Sequence, residues 1–327
     1  DCLNLNVFTG STPSGTSTLP VLVWIHGGAY TNGSGSIPWY HGSALASRGA
    51  VVVSINYRLG AFGFLGDGNY GTLDMISALR WVNRNIAAFG GDANNVTIFG
   101  ESAGGSAVVS LMSSTEAKGL FHKVWAMSPS IGQLRTLPRA QELQTQFLEI
   151  AKVSSIDEVR ALSLDDMLAA QAKQMAIPTT NFDFYTPTAG GSALPFDILS
   201  AAAQSPLPLV LGSNHDEDRL WSAFDPVQAE FGQHDWERVS GEVFGDRAAD
   251  ARAVYEKLRP TESPRQLISS VHTDTAFRQR AQRLAENHAL AGSPTWMYWF
   301  TWATPAFGGV LGSCHALDIP FAFENLS

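Results

Sequence analysis

Residues 100–104 read Gly-Glu-Ser-Ala-Gly. A serine hydroxyl attacks a carbonyl only with a base to take its proton and donors to hold the charge that develops on oxygen. The spacing G-x-S-x-G suits a tight corner where a strand passes into a helix. Such a corner holds the hydroxyl in open space with the helix N-terminus behind it. The flanks supply that order: "VTIF" before the motif is β-rich, and "GSAVVSL" after it begins a helical pattern. Packing is the competing explanation for Gly100 and Gly104, because small residues let a helix sit close on a sheet. The partners decide between the two.

A base has to come from eight histidines. In chains with this corner, acid and base follow the serine in the order Ser, acid, His. His26 and His41 precede Ser102, and His122 and His215 come before or within the segment expected to hold the acid. His234 lies in a polar stretch with no strand ahead of it, and His272 and His288 fall in helical patterns. His315, in "FGGVLGSCHALDIPF", follows a strand and a Gly-rich loop and is the expected base. The acid is expected in "LVLGSNHDEDRLW", where Asp216, Glu217 and Asp218 all remain open. Oxyanion donors are expected from the backbone of Ala103, after the serine, and of Gly27 and Gly28 in "VLVWIHGGAY". Tyr30, Trp39, Phe62 and Trp221 are candidates for an apolar substrate pocket.

These residues need a frame. Apolar runs "LNLNVF", "LPVLVWIHG", "GAVVVSINY", "VTIFG", "PLPLVLGSN" and "TWMYWFTWA" read as strands, the middle ones rich enough in Val and Ile for a sheet covered on both faces. "TGSTPSGTST" and "TNGSGS" read as loops. Residues 73–88 place Ile76, Leu79, Val82 and Ile86 on one helical stripe. Alternating strands and helices imply an α/β chain with a mainly parallel sheet and helices on both faces. Residues 137–175 and 226–291 read as helical insertions. The expectation is one domain over 1–327. Residues 1–130 hold the sheet core with the oxyanion loop and nucleophile, and 131–205 form a helical, cap-like insertion. Residues 206–327 carry the acid and base loops with a further helical insertion.

The chain of 327 residues is 45% hydrophobic and 16% charged, enough apolar material for a large core. A net charge of −9 excludes nucleic acid and anionic membrane surfaces as natural partners. No apolar run reaches the length of a membrane span. Zinc-protease, Cys-x-x-Cys, phosphate-loop and dinucleotide-binding patterns are absent, so no metal and no cofactor is expected. Cys2 and Cys314 do not make a disulfide framework. The chain opens on a strand-like "DCLNLNVF" with no initiator Met or signal peptide, the expectation for a fragment or a processed chain. Localisation and oligomeric state are not encoded in any motif.

Several blocks, in order, carry a resemblance: "DCLNLNVF", "VWIHGGAY", "INYRLGAFGFL", "GNYGTLDMISALRWVNRNIAAFGGDANNVTIFGESAGG", "LGSNHDED" and "CHALDIPFAF". By these the chain resembles the type-B carboxylesterases, the cholinesterase-like branch of the α/β-hydrolases. The resemblance implies an α/β-hydrolase fold and a Ser102–Glu217–His315 triad, with Gly27, Gly28 and Ala103 as oxyanion donors. It also places Glu101 and Ser128 near the triad. Asp218 stands where the family usually has Gly, Ala29 where the longer oxyanion motif has a third Gly, and "MSPS" where "QSGS" is common. Family members extend beyond both ends of this chain, which implies a partner for Cys2 upstream. The implied function is hydrolysis of small to medium carboxylic esters through an acyl-enzyme, with tolerance for bulky alcohols associated with this oxyanion type. The alternative is a catalytically inactive cholinesterase-like binding or adhesion module, or an inactive fragment.

Overall fold

The computed structural model describes residues 2–10, 19–178 and 183–326. The loop expected over 9–18 lies mostly outside them. Seven strands form the central sheet: β1 (Leu5–Phe8), β2 (Leu19–Ile25), β3 (Val51–Ile55), β4 (Gly91–Glu101), β5 (Lys123–Met127), β6 (Leu209–Asn214) and β7 (Thr295–Phe300). Their spatial order is β1-β3-β2-β4-β5-β6-β7. β1 runs antiparallel to β3 and every other pairing is parallel. Because the parallel strands point one way, the chain leaves all of them at the same edge of the sheet, where open α/β sheets bind ligands.

β2 shows why the sheet is buried on both faces. Val21, Val23 and Ile25 point into the larger core, with Val51, Val53 and Ile55 of β3 and with Ile76, Leu79 and Val108. Trp24, between them, points the other way and packs edge-on against Phe99 and Phe323 at 4.9 and 5.0 Å. The larger core is closed by α1 (Tyr70–Asn85) and α2 (Ala103–Ser113). The second face is closed by the 3₁₀ turn Pro38–Tyr40 and a short C-terminal helix, Ile319–Phe323. Each fully buried Val, Ile or Phe contributes about 1.5–3 kcal/mol of transfer free energy.

The helix expected at 73–88 starts three residues earlier and ends at Asn85, with Ile86–Phe89 tightening into a 3₁₀ turn. Asn69 precedes it in a left-handed conformation (φ 46°). Asp74 on α1 takes two bonds from the Arg58 guanidinium, at 2.7 and 2.8 Å, tying the loop after β3 to the helix. The segment from 137 to 175 is helical as expected, with α3 (Leu137–Ala151), a short turn of helix at Ile156–Arg160, and α4 (Leu164–Met175). Arg135 anchors this insertion. It is buried without a carboxylate in contact and donates to Thr188 Oγ1 and to the carbonyls of Phe184, Phe64 and Gly66. Later come α5 (Gln233–Phe244), α6 (Ala248–Leu258), α7 (Pro264–Thr273) and α8 (Gln279–Leu290). The first three share a small core of their own around Trp236 and Ile268. A π-turn, Asp274–Arg278, joins α7 to α8.

Candidate active site

β4 ends at Glu101 and α2 begins at Ala103, so Ser102 is the whole corner. Its backbone stands at φ 59°, ψ −120°, a region that L residues avoid at a cost of about 1–3 kcal/mol. The Ser102 N–H donates to Met127 O on β5 at 3.0 Å, which fastens the corner to the neighbouring strand. Packing and exposure are both served here. A Cβ on Gly104 would lie on Ile25 O, and one on Gly100 would come within 2.5 Å of the same carbonyl. The two glycines let α2 press against the end of β2, and that close approach leaves Ser102 projecting.

The loop after β2 passes beside the serine. A Cβ on Gly27 would sit 2.6 Å from Glu101 O and 3.1 Å from Ser102 Cβ, so the bare backbone at 27 lies against the corner. Gly28, Ala29 and Tyr30 all have positive φ, at 108°, 51° and 58°. His26 holds the loop from below: its Nδ1 lies 2.8 Å from Gly27 O, its ring stacks on Tyr57 at 4.6 Å, and its carbonyl accepts from the Tyr57 hydroxyl at 2.8 Å. Among the described residues, the N–H groups of Gly27, Gly28 and Ala103 donate to no protein acceptor. Buried backbone donors are nearly always paired, so the unpaired N–H groups of buried Gly27 and Ala103, with that of half-buried Gly28 next in the chain, are an exception beside this serine.

The loop after β6 brings Glu217, fully buried, to His315. His315 Nδ1 donates to Glu217 Oε2 at 2.6 Å. The other oxygen, Oε1, accepts from the Ser128 hydroxyl and from the Asn214 N–H, each at 2.6 Å. Geometry thus separates the three carboxylates that spacing alone left open, and the one it brings to His315 is the Glu217 that the resemblance implied. Asp216 accepts from the Ser313 N–H at 2.9 Å and pairs with Arg219 at 3.2 Å and with His215 at 2.9 Å. The Asp216 N–H returns a bond to Ser313 O at 2.9 Å, so this residue clasps the loop carrying Glu217 to the loop carrying His315. Asp218 turns toward His272, 3.6 Å away.

The far nitrogen of His315, Nε2, lies 3.0 Å from Glu101 Oε1. Among the described residues no hydrogen bond joins it to Ser102 Oγ. Burial disfavours the imidazolium, but the carboxylates of Glu101 and Glu217 on its two nitrogens outweigh that and hold His315 well above its ordinary value. Glu101, buried with it, is pushed up by desolvation against the pull of the imidazolium. Behind them Asp318 accepts from Tyr298 at 3.0 Å and Asn214 Nδ2 at 3.3 Å, and burial beside Glu101 and Glu217 raises it to about 7. Cys314 is buried next to His315, and burial raises its thiol to about 11.

Of the four pocket candidates, Trp221 borders the base, ring centroids 4.9 Å apart. Trp39 and Phe62 are partly exposed and make no ring contact with the site among the described residues. Tyr30 is corrected: it is fully buried in the larger core against Phe64 at 5.0 Å, because positive φ at 29 and 30 turns the chain inward. Sequence reasoning missed Phe277, whose ring lies 4.8 Å from His315, as well as Asn214 and Asp318. None of the three carries a chemical marker in the sequence. Among the described residues no cluster has the donors to hold a metal ion, and no helix is long and apolar enough to cross a membrane.

A mostly parallel sheet with a serine corner after a central strand, and acid and histidine loops at the same edge, defines an α/β-hydrolase. The chain belongs to the carboxylesterase family, whose model matches residues 1–327. It is 38% identical to the para-nitrobenzyl esterase of Bacillus subtilis, over all of this chain and 68% of that one. It is 34% identical to the fumonisin B1 esterase of Sphingopyxis macrogoltabida, over all of this chain and 62% of that one. Among solved structures, a carboxylesterase of Geobacillus stearothermophilus superposes with a TM-score of 0.85 at 35% identity, covering 99% of this chain and 70% of its own. The chain therefore spans about two thirds of the length of the relatives it matches.

Proposed function

We propose that this chain carries the catalytic machinery of a serine carboxylesterase for small to medium esters. Ser102 Oγ bonds to the ester carbonyl carbon while its proton passes to His315 Nε2. The carbonyl electrons move onto oxygen, which the N–H groups of Gly27, Gly28 and Ala103 receive. Collapse expels the alcohol, protonated by His315, and leaves an acyl-serine. Water repeats the sequence and releases the acid. Glu217 fixes the ring with Nδ1 protonated and stabilises the imidazolium. To accept the serine proton, Nε2 exchanges Glu101 for the hydroxyl. After transfer Glu101 stands ready to hold the charged ring. Ser128 acts through Glu217, and Trp221 and Phe277 flank the base as apolar walls for the substrate.

The observation that carries this reading is the strained Ser102 at a corner against which Gly27 lies, with the N–H groups of Gly27, Gly28 and Ala103 unpartnered and a carboxylate-bound histidine at the same sheet edge. The organisation proposed with it is one domain over 1–327, with 1–130 as core, 131–205 as cap and 206–327 supplying acid and base. The test is p-nitrophenol release from acetyl and butyryl esters, wild type beside Ser102→Ala. Turnover by wild type alone supports it. Equal inertness of both folded proteins refutes it.

A further inference from the structure

A cavity of about 420 Å³ opens beside the proposed catalytic pair. Ser130, in its lining, donates its N–H to Ser102 O at 3.3 Å, and Phe277, also in the lining, packs on the His315 ring. From there the lining becomes cationic, with Arg135, Arg139 and Arg280 against a single carboxylate, Asp183. That carboxylate is already matched: Arg139 grips it with two bonds, at 3.0 and 3.2 Å. Arg135 touches no carboxylate and is cationic at neutral pH. Arg280 spends one donor on Thr275 O at 3.2 Å, and its terminal amino groups donate to no protein acceptor among the described residues. Gly132 makes room for it: a Cβ there would come within 2.7 Å of the guanidinium carbon. A chain of net charge −9 thus places Arg135 and Arg280, neither paired with a carboxylate, in the wall of a cavity that reaches Ser130 and Phe277 beside Ser102 and His315.

We propose that the preferred substrates are esters bearing a carboxylate remote from the scissile bond, which Arg280 receives with the field of Arg135 behind it. A planar guanidinium with two free amino groups matches a carboxylate in fork geometry. This inference rests on the ester-hydrolase reading above. Two matched pairs of esters test it: p-nitrophenyl hydrogen glutarate beside p-nitrophenyl pentanoate, and 4-butyryloxybenzoate beside phenyl butyrate. The first pair places the anion on the acid side and the second on the alcohol side. One pair is expected to favour the anionic member by about tenfold in kcat/KM, with the ratio shrinking as salt is raised. In Arg280→Gln, an exposed position whose loss leaves folding intact, the ratio collapses toward unity. Turnover of neutral esters with no anionic preference, or a preference that survives Arg280→Gln, overturns this inference alone. No turnover of any ester overturns the hydrolase reading and this inference with it.

Discussion

Gly27→Ala adds one methyl group where the proposed oxyanion loop meets the proposed nucleophile corner. Its Cβ would stand 2.6 Å from Glu101 O, 3.1 Å from Ser102 Cβ and 3.2 Å from Glu101 Oε2. Real Cβ atoms essentially never come within 3.0 Å of another heavy atom, so the loop has to withdraw by at least the difference, 3.0 − 2.6 = 0.4 Å. Gly27 is outside the positive-φ region, so the methyl group brings steric displacement without backbone strain. An oxyanion donor works at about 2.7–3.1 Å, and losing one lowers kcat by about 10²–10³, or 2.7–4 kcal/mol. The expected outcome for Gly27→Ala is a kcat loss in that range with KM little changed, because the donors act on charge that exists only in the transition state. The assay is p-nitrophenyl butyrate hydrolysis, corrected for active-site concentration by burst titration. Two further variants calibrate it. Gly241→Ala, where nothing lies within 4 Å, keeps full activity. Gly104→Ala, whose Cβ would fall on the β2 backbone, loses folding stability before catalysis is at issue. A Gly27→Ala protein with kcat within about threefold of wild type refutes the placement of the oxyanion hole.

Two more outcomes follow from the charges around His315. Its raised pKa predicts that kcat/KM climbs with pH along a limb lying above the ordinary histidine range, since only the neutral ring accepts the serine proton. Glu101→Gln removes one of the two flanking carboxylates, so the limb moves to lower pH; an unmoved limb in a pH–rate profile contradicts the electrostatic account. The stability sign is the same. A histidine raised on folding stabilises fully below its unfolded value of 6.5 and loses that contribution as pH rises through the folded value. The stability advantage of wild type over Glu101→Gln in urea therefore falls as pH rises through the folded histidine value, where the buried Glu101 carboxylate loses its charged partner. Ser128→Ala deletes a 2.6 Å bond to the buried Glu217 carboxylate and is expected to cost about 1.5–3 kcal/mol in urea unfolding, with a fall in kcat rather than a rise in KM.

The strands and the nucleophile corner were legible because their residues are limited by local chemistry. Val51–Ile55 can hardly be anything but a buried strand, and the serine corner tolerates only small neighbours. β5 was not legible. "KVWAM" is five residues long and opens on lysine, and only its place between β4 and β6 makes it a strand. The resemblance pointed to Glu217, but local chemistry alone left three adjacent carboxylates open, because the choice depends on which one faces a loop nearly a hundred residues away. Only the fold brings Glu217 to Nδ1 and sends Asp216 to Ser313. Tyr30 misled for a related reason: an aromatic after the oxyanion glycines looks like a pocket wall until two successive positive φ angles turn it inward. Phe277 sits in a helical pattern, where an aromatic beside a base is indistinguishable from one that fills a core.

Cys314 gives the protein its own gauge of integrity. The thiol is enclosed between the acid and base loops and raised to about 11, while Cys2 is exposed. Thiolate is the reacting species, so a thiol reagent labels Cys2 readily and Cys314 only when the loop carrying His315 lifts away. The ratio of the two labels over time is a clock for opening of the base loop, read without any engineered probe and without substrate. Conditions that leave the sheet folded but release that loop speed the second label alone. They separate a chain that is merely folded from one whose histidine is in place.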